Sequence, residues 1–85
     1  MSRDRVRLLH IRDAIQRIHS YVSDRESFLT QPVIQDAVIR NLEVIGEAVK
    51  VLGPEIRMRR TEIPWSDIAA MRDRLIHGAA CRRFG

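Results

Sequence analysis

Apolar residues in this chain recur at helical spacing. Leu8, Ile11, Ile15, Ile18 and Val22 follow one another at intervals of 3, 4, 3 and 4 residues, which is one stripe of an amphipathic helix. Ile34, Val38, Asn41, Ile45, Ala48 and Leu52 form a second stripe at intervals of 4, 3, 4, 3 and 4. The pattern predicts helices over about 4–22, 31–52 and 64–77. The polar run Ser23-Asp24-Arg25-Glu26-Ser27 separates the first two, and Phe28 and Leu29 are expected to turn back onto the core. Thr30 fits an N-cap with Pro32 in the following first turn. Gly53-Pro54 fits the stop of the second helix, Pro64 the start of the third, and Gly78 its end. Residues 54–63 read as a basic connector with room for a helical turn. With no alternating pattern, repeat or low-complexity segment, the expected fold class is all-α.

The chain has 85 residues, 45% of them apolar and 31% charged, which points to one small domain over 1–85. A chain this short buries little core of its own, so self-association or a partner is expected. No apolar run is long enough for a transmembrane helix. The N-terminus, Arg3-Asp4-Arg5-Val6-Arg7, lacks the apolar centre of a signal peptide. The single cysteine, Cys81, has no internal disulfide partner, no neighbouring base and no zinc-ligand spacing, and fits a reducing cytoplasm. No metal or cofactor is expected.

The net charge of +4 is unevenly placed. Residues 1–56 are balanced, whereas residues 57–85 hold seven arginines against Glu62, Asp67 and Asp73. A local excess of this kind attracts phosphate-bearing partners, although a solvated, soluble surface has the same composition.

Two polar residues stand where apolar ones are expected. At about 100° per residue, Arg72 falls roughly 40° from Ile68, inside the arc of Trp65, Met71, Leu75 and Ile76. On the second helix Asn41 lies about 20° from Ile34, in the middle of its stripe. An unpaired buried guanidinium costs several kcal/mol, so Arg72 needs partners or a wet cavity. Asn41 and Arg72 satisfying each other, a snorkelling Arg72, or an Asn fixing register would all be structural answers. The functional answer is a polar cleft that receives a ligand phosphate. Glu43 and Glu47 fall near about 180° and 220° from Ile34, which reads as a solvated face or, alternatively, a cleft wall. Gly46 reads as a site of close helix approach, and Trp65 as a core anchor rather than a base-stacking platform.

His77 follows Arg72 by five positions, about 140° further round an ideal helix. An ending at Gly78 would let it swing inward. A histidine near a helix C-terminus is commonly a dipole partner, yet its ordinary pKa also suits proton transfer. The spacing alone discriminates little, because Arg5–His10 and Arg12–His19 also separate Arg and His by four to six residues. His10 and His19 read as ordinary helix residues.

The surroundings of Arg72 are more specific. The stretches Val38-Ile39-Arg40-Asn41-Leu42-Glu43-Val44-Ile45-Gly46-Glu47-Ala48 and Ile63-Pro64-Trp65-Ser66-Asp67-Ile68-Ala69-Ala70-Met71-Arg72-Asp73-Arg74-Leu75-Ile76-His77-Gly78 resemble the HepT family of the HEPN superfamily. Ile11, Asp13, Ala14 and Ile15 fit the opening of the same family. The resemblance implies an antiparallel helical bundle that dimerises, with the Arg–His motifs of both subunits at a shared cleft. It implies a metal-independent ribonuclease, usually the toxin partner of a nucleotidyltransferase antitoxin that attaches AMP to a Tyr two residues after the motif His. Here that Tyr position holds Ala79. The family also continues into a further helix, whereas this chain ends with Cys81-Arg82-Arg83-Phe84-Gly85.

On this resemblance Arg72 and His77 are the catalytic candidates, Asn41 a supporting residue and Arg74 an RNA-binding residue. The expected partners are RNA, a nucleotidyltransferase-type antitoxin and a second copy of the chain. The alternatives are a family remnant that dimerises or binds the antitoxin without cutting, and a general nucleic-acid-binding module. No helix-turn-helix spacing supports sequence-specific DNA reading.

Overall fold

The computed structural model describes the backbone of residues 3–84 and the side chains of residues 3–77. The described residues form five helices: α1 (Arg3–Val22), α2 (Arg25–Thr30), α3 (Pro32–Lys50), α4 (Pro54–Arg59) and α5 (Trp65–Phe84), and no strand. The all-α expectation holds, and the two stripes become α1 and α3.

The polar run after α1 does more than break it. Asp24 N-caps α2, accepting hydrogen bonds from Ser27 N at 3.3 Å and Ser27 Oγ at 2.6 Å, so helix resumes at Arg25. Thr30 is therefore the last residue of α2, with Oγ1 donating to Glu26 O at 2.8 Å, and not an N-cap as its position before Pro32 implied. Gln31 occupies the N-cap of α3 without a side-chain cap bond, and Pro32 supplies the preset φ of a first helical residue. Phe28 is half-buried, whereas Leu29 stays 59% exposed.

The end of α3 is a junction. Arg7 Nη1 donates to Val51 O at 2.6 Å, and Asp4 Oδ1 accepts from Gly53 N at 3.2 Å. The first turn of α1 thus lies on the last turn of α3, with the two helices antiparallel. From the other side Arg57 of α4 donates through Nη2 to Val49 O at 2.6 Å and Lys50 O at 3.3 Å. These bonds satisfy carbonyls that a helix end leaves without intrahelical partners.

α3 is the central element, packed against α1 on one side and α5 on the other. Its buried seam of Val38, Asn41, Ala48, Val49 and Leu52 meets the fully buried Ala14 of α1. The stripe on α1 is only partly covered, with Leu8, Ile15 and Val22 remaining 38–43% exposed.

The third helix departs most from expectation. It starts one residue after Pro64, where Trp65 Nε1 donates to Arg60 O at 2.9 Å and pins the connector. It then runs through Gly78 to Phe84 instead of ending near His77. No glycine among the described residues has a positive φ. A glycine permits a helix stop without compelling one, and the Ala79-Ala80 that follows favours helix.

Candidate functional site

One flank of α3, the first turns of α1 and the middle of α5 enclose a groove of about 630 Å³. Arg3, Val6, Arg7 and His10 line it from α1. Their spacing of three and four places them on one helical face. Arg40, Glu43, Val44 and Glu47 line it from α3, and Arg72 and Ile76 from α5.

Arg72 is fixed from behind. A Cβ built on Gly46 would stand 2.6 Å from Arg72 Cβ and 3.3 Å from Ile68 O. The missing side chain at Gly46 is thus what lets α5 approach α3 here, the close approach expected of this glycine. The guanidinium reaches forward into the groove. Its Nε pairs with Glu47, and its Nη1 donates to Asp73 Oδ1 at 3.2 Å. Asp73 also takes a bond of 3.0 Å from Lys50 Nζ. The Lys50 bond chiefly holds the Asp73 carboxyl below its ordinary pKa; desolvation opposes it, and the Lys50 charge, the Arg72 bond and the Arg72 charge add to the lowering. The side chain of Arg72 remains 30% exposed, so the charge is neither unpaired nor sealed from solvent.

This arrangement revises two readings of α3. Glu43 and Glu47 face the groove as a cleft wall instead of forming a purely solvated face. Asn41 is buried as its wheel position implied, yet its Nδ2 donates to Ala37 O at 2.8 Å. Among the described residues Arg72 donates to carboxylates, and the Asn41–Arg72 pair is not formed.

His77 is exposed and is not among the groove-lining residues. Because α5 continues past Gly78, His77 keeps its wheel position about 140° from Arg72. Arg74 is also exposed. The side chains of Ala79 and Cys81 lie outside the described residues. The histidine that does share the groove with Arg72 is His10, which sequence reasoning treated as an ordinary helix residue. The available signal was its helical register with Arg3, Val6 and Arg7, but the face it shares with Arg72 appears only in three dimensions.

Among the described residues no cluster of His, Cys, Asp or Glu side chains could hold a metal ion, and no helix is long and apolar enough to cross a membrane.

Residues 11–78 match the family described as ribonuclease HepT-like. The chain is 45% identical over 74 residues to a Methanocaldococcus jannaschii protein named "Gamma-glutamylcyclotransferase and putative RNase", covering 85% of this chain and 33% of that protein. It is 52% identical over 52 residues to a "Putative RNase" of Caldanaerobacter subterraneus subsp. tengcongensis, covering 61% and 46% respectively. It is 44% identical over 69 residues to a "Probable ribonuclease HepT" of Thermococcus cleftensis, covering 79% and 63%. The chain thus spans less than two thirds of the length of each of these relatives. No solved structure matches it.

Proposed function

The chain belongs to the ribonuclease HepT-like family, and on that premise we propose that it is a metal-independent endoribonuclease. In this reading it is the toxin of a pair with a nucleotidyltransferase-type antitoxin and acts as a homodimer in the cytoplasm. The observation that carries the reading is the setting of Arg72. The base of its side chain is backed against Gly46, the side chain stays 30% exposed, and among the described residues its guanidinium pairs with carboxylates, which a substrate phosphate can replace. A planar guanidinium fork matches phosphate oxygens.

Cleavage of RNA without a metal needs a base for the 2′-hydroxyl and positive charge for the developing phosphorane. His77 takes the 2′-hydroxyl proton, O2′ attacks phosphorus, and the P–O5′ bond breaks. The leaving 5′-oxygen takes a proton from His77 of the second copy, leaving a 2′,3′-cyclic phosphate and a 5′-hydroxyl. Arg72 neutralises the extra charge on the phosphorane oxygens. Asn41, bonded to Ala37 O within α3, supports Arg72 indirectly through the packing of α3, and Arg74 attracts the RNA backbone. Since Arg72 and His77 lie on different faces of one α5, the reaction assembles in a cleft shared by two copies. The exposed line of Leu8, Ile15 and Val22 on α1 supports self-association, because it leaves apolar surface for a second chain to cover.

The test is RNA cleavage by the wild-type chain in EDTA beside Arg72→Ala and His77→Ala. Cleavage in chelator that is lost in both variants is expected. Loss of wild-type cleavage in EDTA, or full activity in His77→Ala, overturns the scheme. Ala79 favours a second reading, in which the chain binds RNA or the antitoxin without cutting, since it offers no hydroxyl for AMP. Equal RNA retention without cleavage in all three proteins would establish that reading.

A further inference from the structure

Arg3, Arg7 and His10 precede the segment that matches the family, yet they form one wall of the groove that holds Arg72. Arg40 stands on the opposite wall, eleven positions before Val51, or about 16 Å along the axis of α3. Because Arg7 bonds Val51 O, the α1 cations lie toward one end of the groove and Arg40 toward the other. Positive charge is therefore spread along the groove and not gathered at a point.

The cations differ in availability. Arg7 is engaged by Val51 O and by Asp4. Arg40 approaches Glu43 only to 3.9 Å and its side chain is 77% exposed. Arg3 has no ion pair among the described residues and is exposed. Between them the groove exposes Val6, Val51 and Ile76, each by 38–45%. Charged groups that track a backbone beside apolar surface that can meet base faces are the combination that single-stranded nucleic acid uses.

We propose that this groove is the seat of single-stranded RNA, with Arg3 and Arg40 holding phosphates to either side of the one facing Arg72. His10 adds a donor between them, and the bases lie against Val6, Val51 and Ile76. The proposal takes its substrate from the ribonuclease reading and assigns binding residues that lie outside the Arg–His motif. Glu43 and Glu47 are the counter-ions that bound phosphates displace. The arginine-rich connector takes no part: Arg57 is committed to α3, while Arg59 and Arg60 pair with Glu55 and Glu62.

The experiment measures binding of a 2′-O-methyl RNA oligonucleotide, which lacks the attacking hydroxyl, by fluorescence anisotropy over a range of salt. It compares the wild type, an Arg3→Ala/Arg40→Ala double variant and an Arg59→Ala/Arg60→Ala double variant. The groove variant is expected to bind about tenfold more weakly at low salt, with a salt slope smaller by about 1.4, while the connector variant matches the wild type. Groove-variant binding equal to wild type, or no wild-type binding, overturns the proposal. So does full displacement by millimolar inorganic phosphate, which would mark a single-anion pocket. Weakened binding together with a changed oligomeric state in light scattering reassigns the groove to a protein contact and also overturns it. Unmodified RNA is assayed for cleavage in parallel. Groove-dependent binding without cleavage supports the seat and overturns the ribonuclease reading alone.

Discussion

Gly46 and Arg72 meet at a close approach of α3 to α5: a Cβ on Gly46 would stand 2.6 Å from that of Arg72 and 3.4 Å from its Cα. Both contacts are to atoms set by the backbone, so no flexible side chain can move aside. Gly46→Ala gains about 1 kcal/mol of helix propensity but pushes the helices apart at a cost of about 1–3 kcal/mol. The net effect is destabilising, and each kcal/mol lowers the Tm of a domain this size by about 4–8 °C. Thermal unfolding should show that fall, with a loss of RNA cleavage at temperatures where the variant remains folded. A Tm at or above wild type would mean that α5 is free to shift.

Glu47 holds the charge that the proposed substrate needs. The pair is partly exposed, with Glu47 at 57%, so its strength belongs to the surface range of about 0.2–1 kcal/mol. Glu47→Gln should therefore tighten 2′-O-methyl RNA binding, by up to about fivefold. Asp73, which keeps its own hold on Arg72, limits the gain. Weaker binding in this variant would make Glu47 a contributor to the site instead of a competitor.

What was legible in the sequence was periodic or local. Spacing of three and four marked α1 and α3, the helical wheel placed Asn41 inside, and Gly46 read as a close-approach site because it has no side chain. The six-residue α2 has no stripe, and its one signal was Asp24 three positions before Ser27. Gly78 misled because a residue that can leave a helix need not do so. The groove was hidden because its walls come from three helices: the register on α1 places Arg3, Arg7 and His10 together but does not say that Arg72 faces them. The charge excess pointed to residues 57–85, whereas Arg57 is used to tie off α3 and most of the groove cations come from the balanced part of the chain.

Arg57 makes a further stability prediction. Its Nη2 bonds two carbonyls at the end of α3, while its buried Nε has no partner among the described residues. A hydrogen bond from a charged group is worth about 1.5–3 kcal/mol, and the orphaned Nε offsets part of that. Arg57→Ala should lower stability toward the lower end of that range and speed amide exchange in α3 selectively over its last turn. Lysine lacks the planar fork, so Arg57→Lys should recover only part of the protection. Uniformly faster exchange across the bundle in Arg57→Ala would point to general loosening and remove the capping role.

The Lys50–Asp73 bridge sets an acid limit on the arrangement around Arg72. Asp73 is held below its ordinary pKa chiefly by the bond from Lys50 Nζ. A carboxylate whose folded pKa is depressed stabilises fully above its unfolded value of about 3.9 and loses that contribution as pH falls through the lower folded value. The loss is therefore confined to acid below the ordinary carboxylate range, and near neutral pH the bridge is intact. Lys50→Met should raise the Asp73 midpoint toward the ordinary value in an NMR titration of its side-chain carboxyl. Asp73→Asn should flatten the acid limb of the stability curve. Removing Asp73 also leaves Arg72 with Glu47 as its carboxylate partner, so Asp73→Asn combined with Glu47→Gln should tighten RNA binding more than either change alone. An unmoved Asp73 midpoint in Lys50→Met would show that Lys50 is not the cause of the depression.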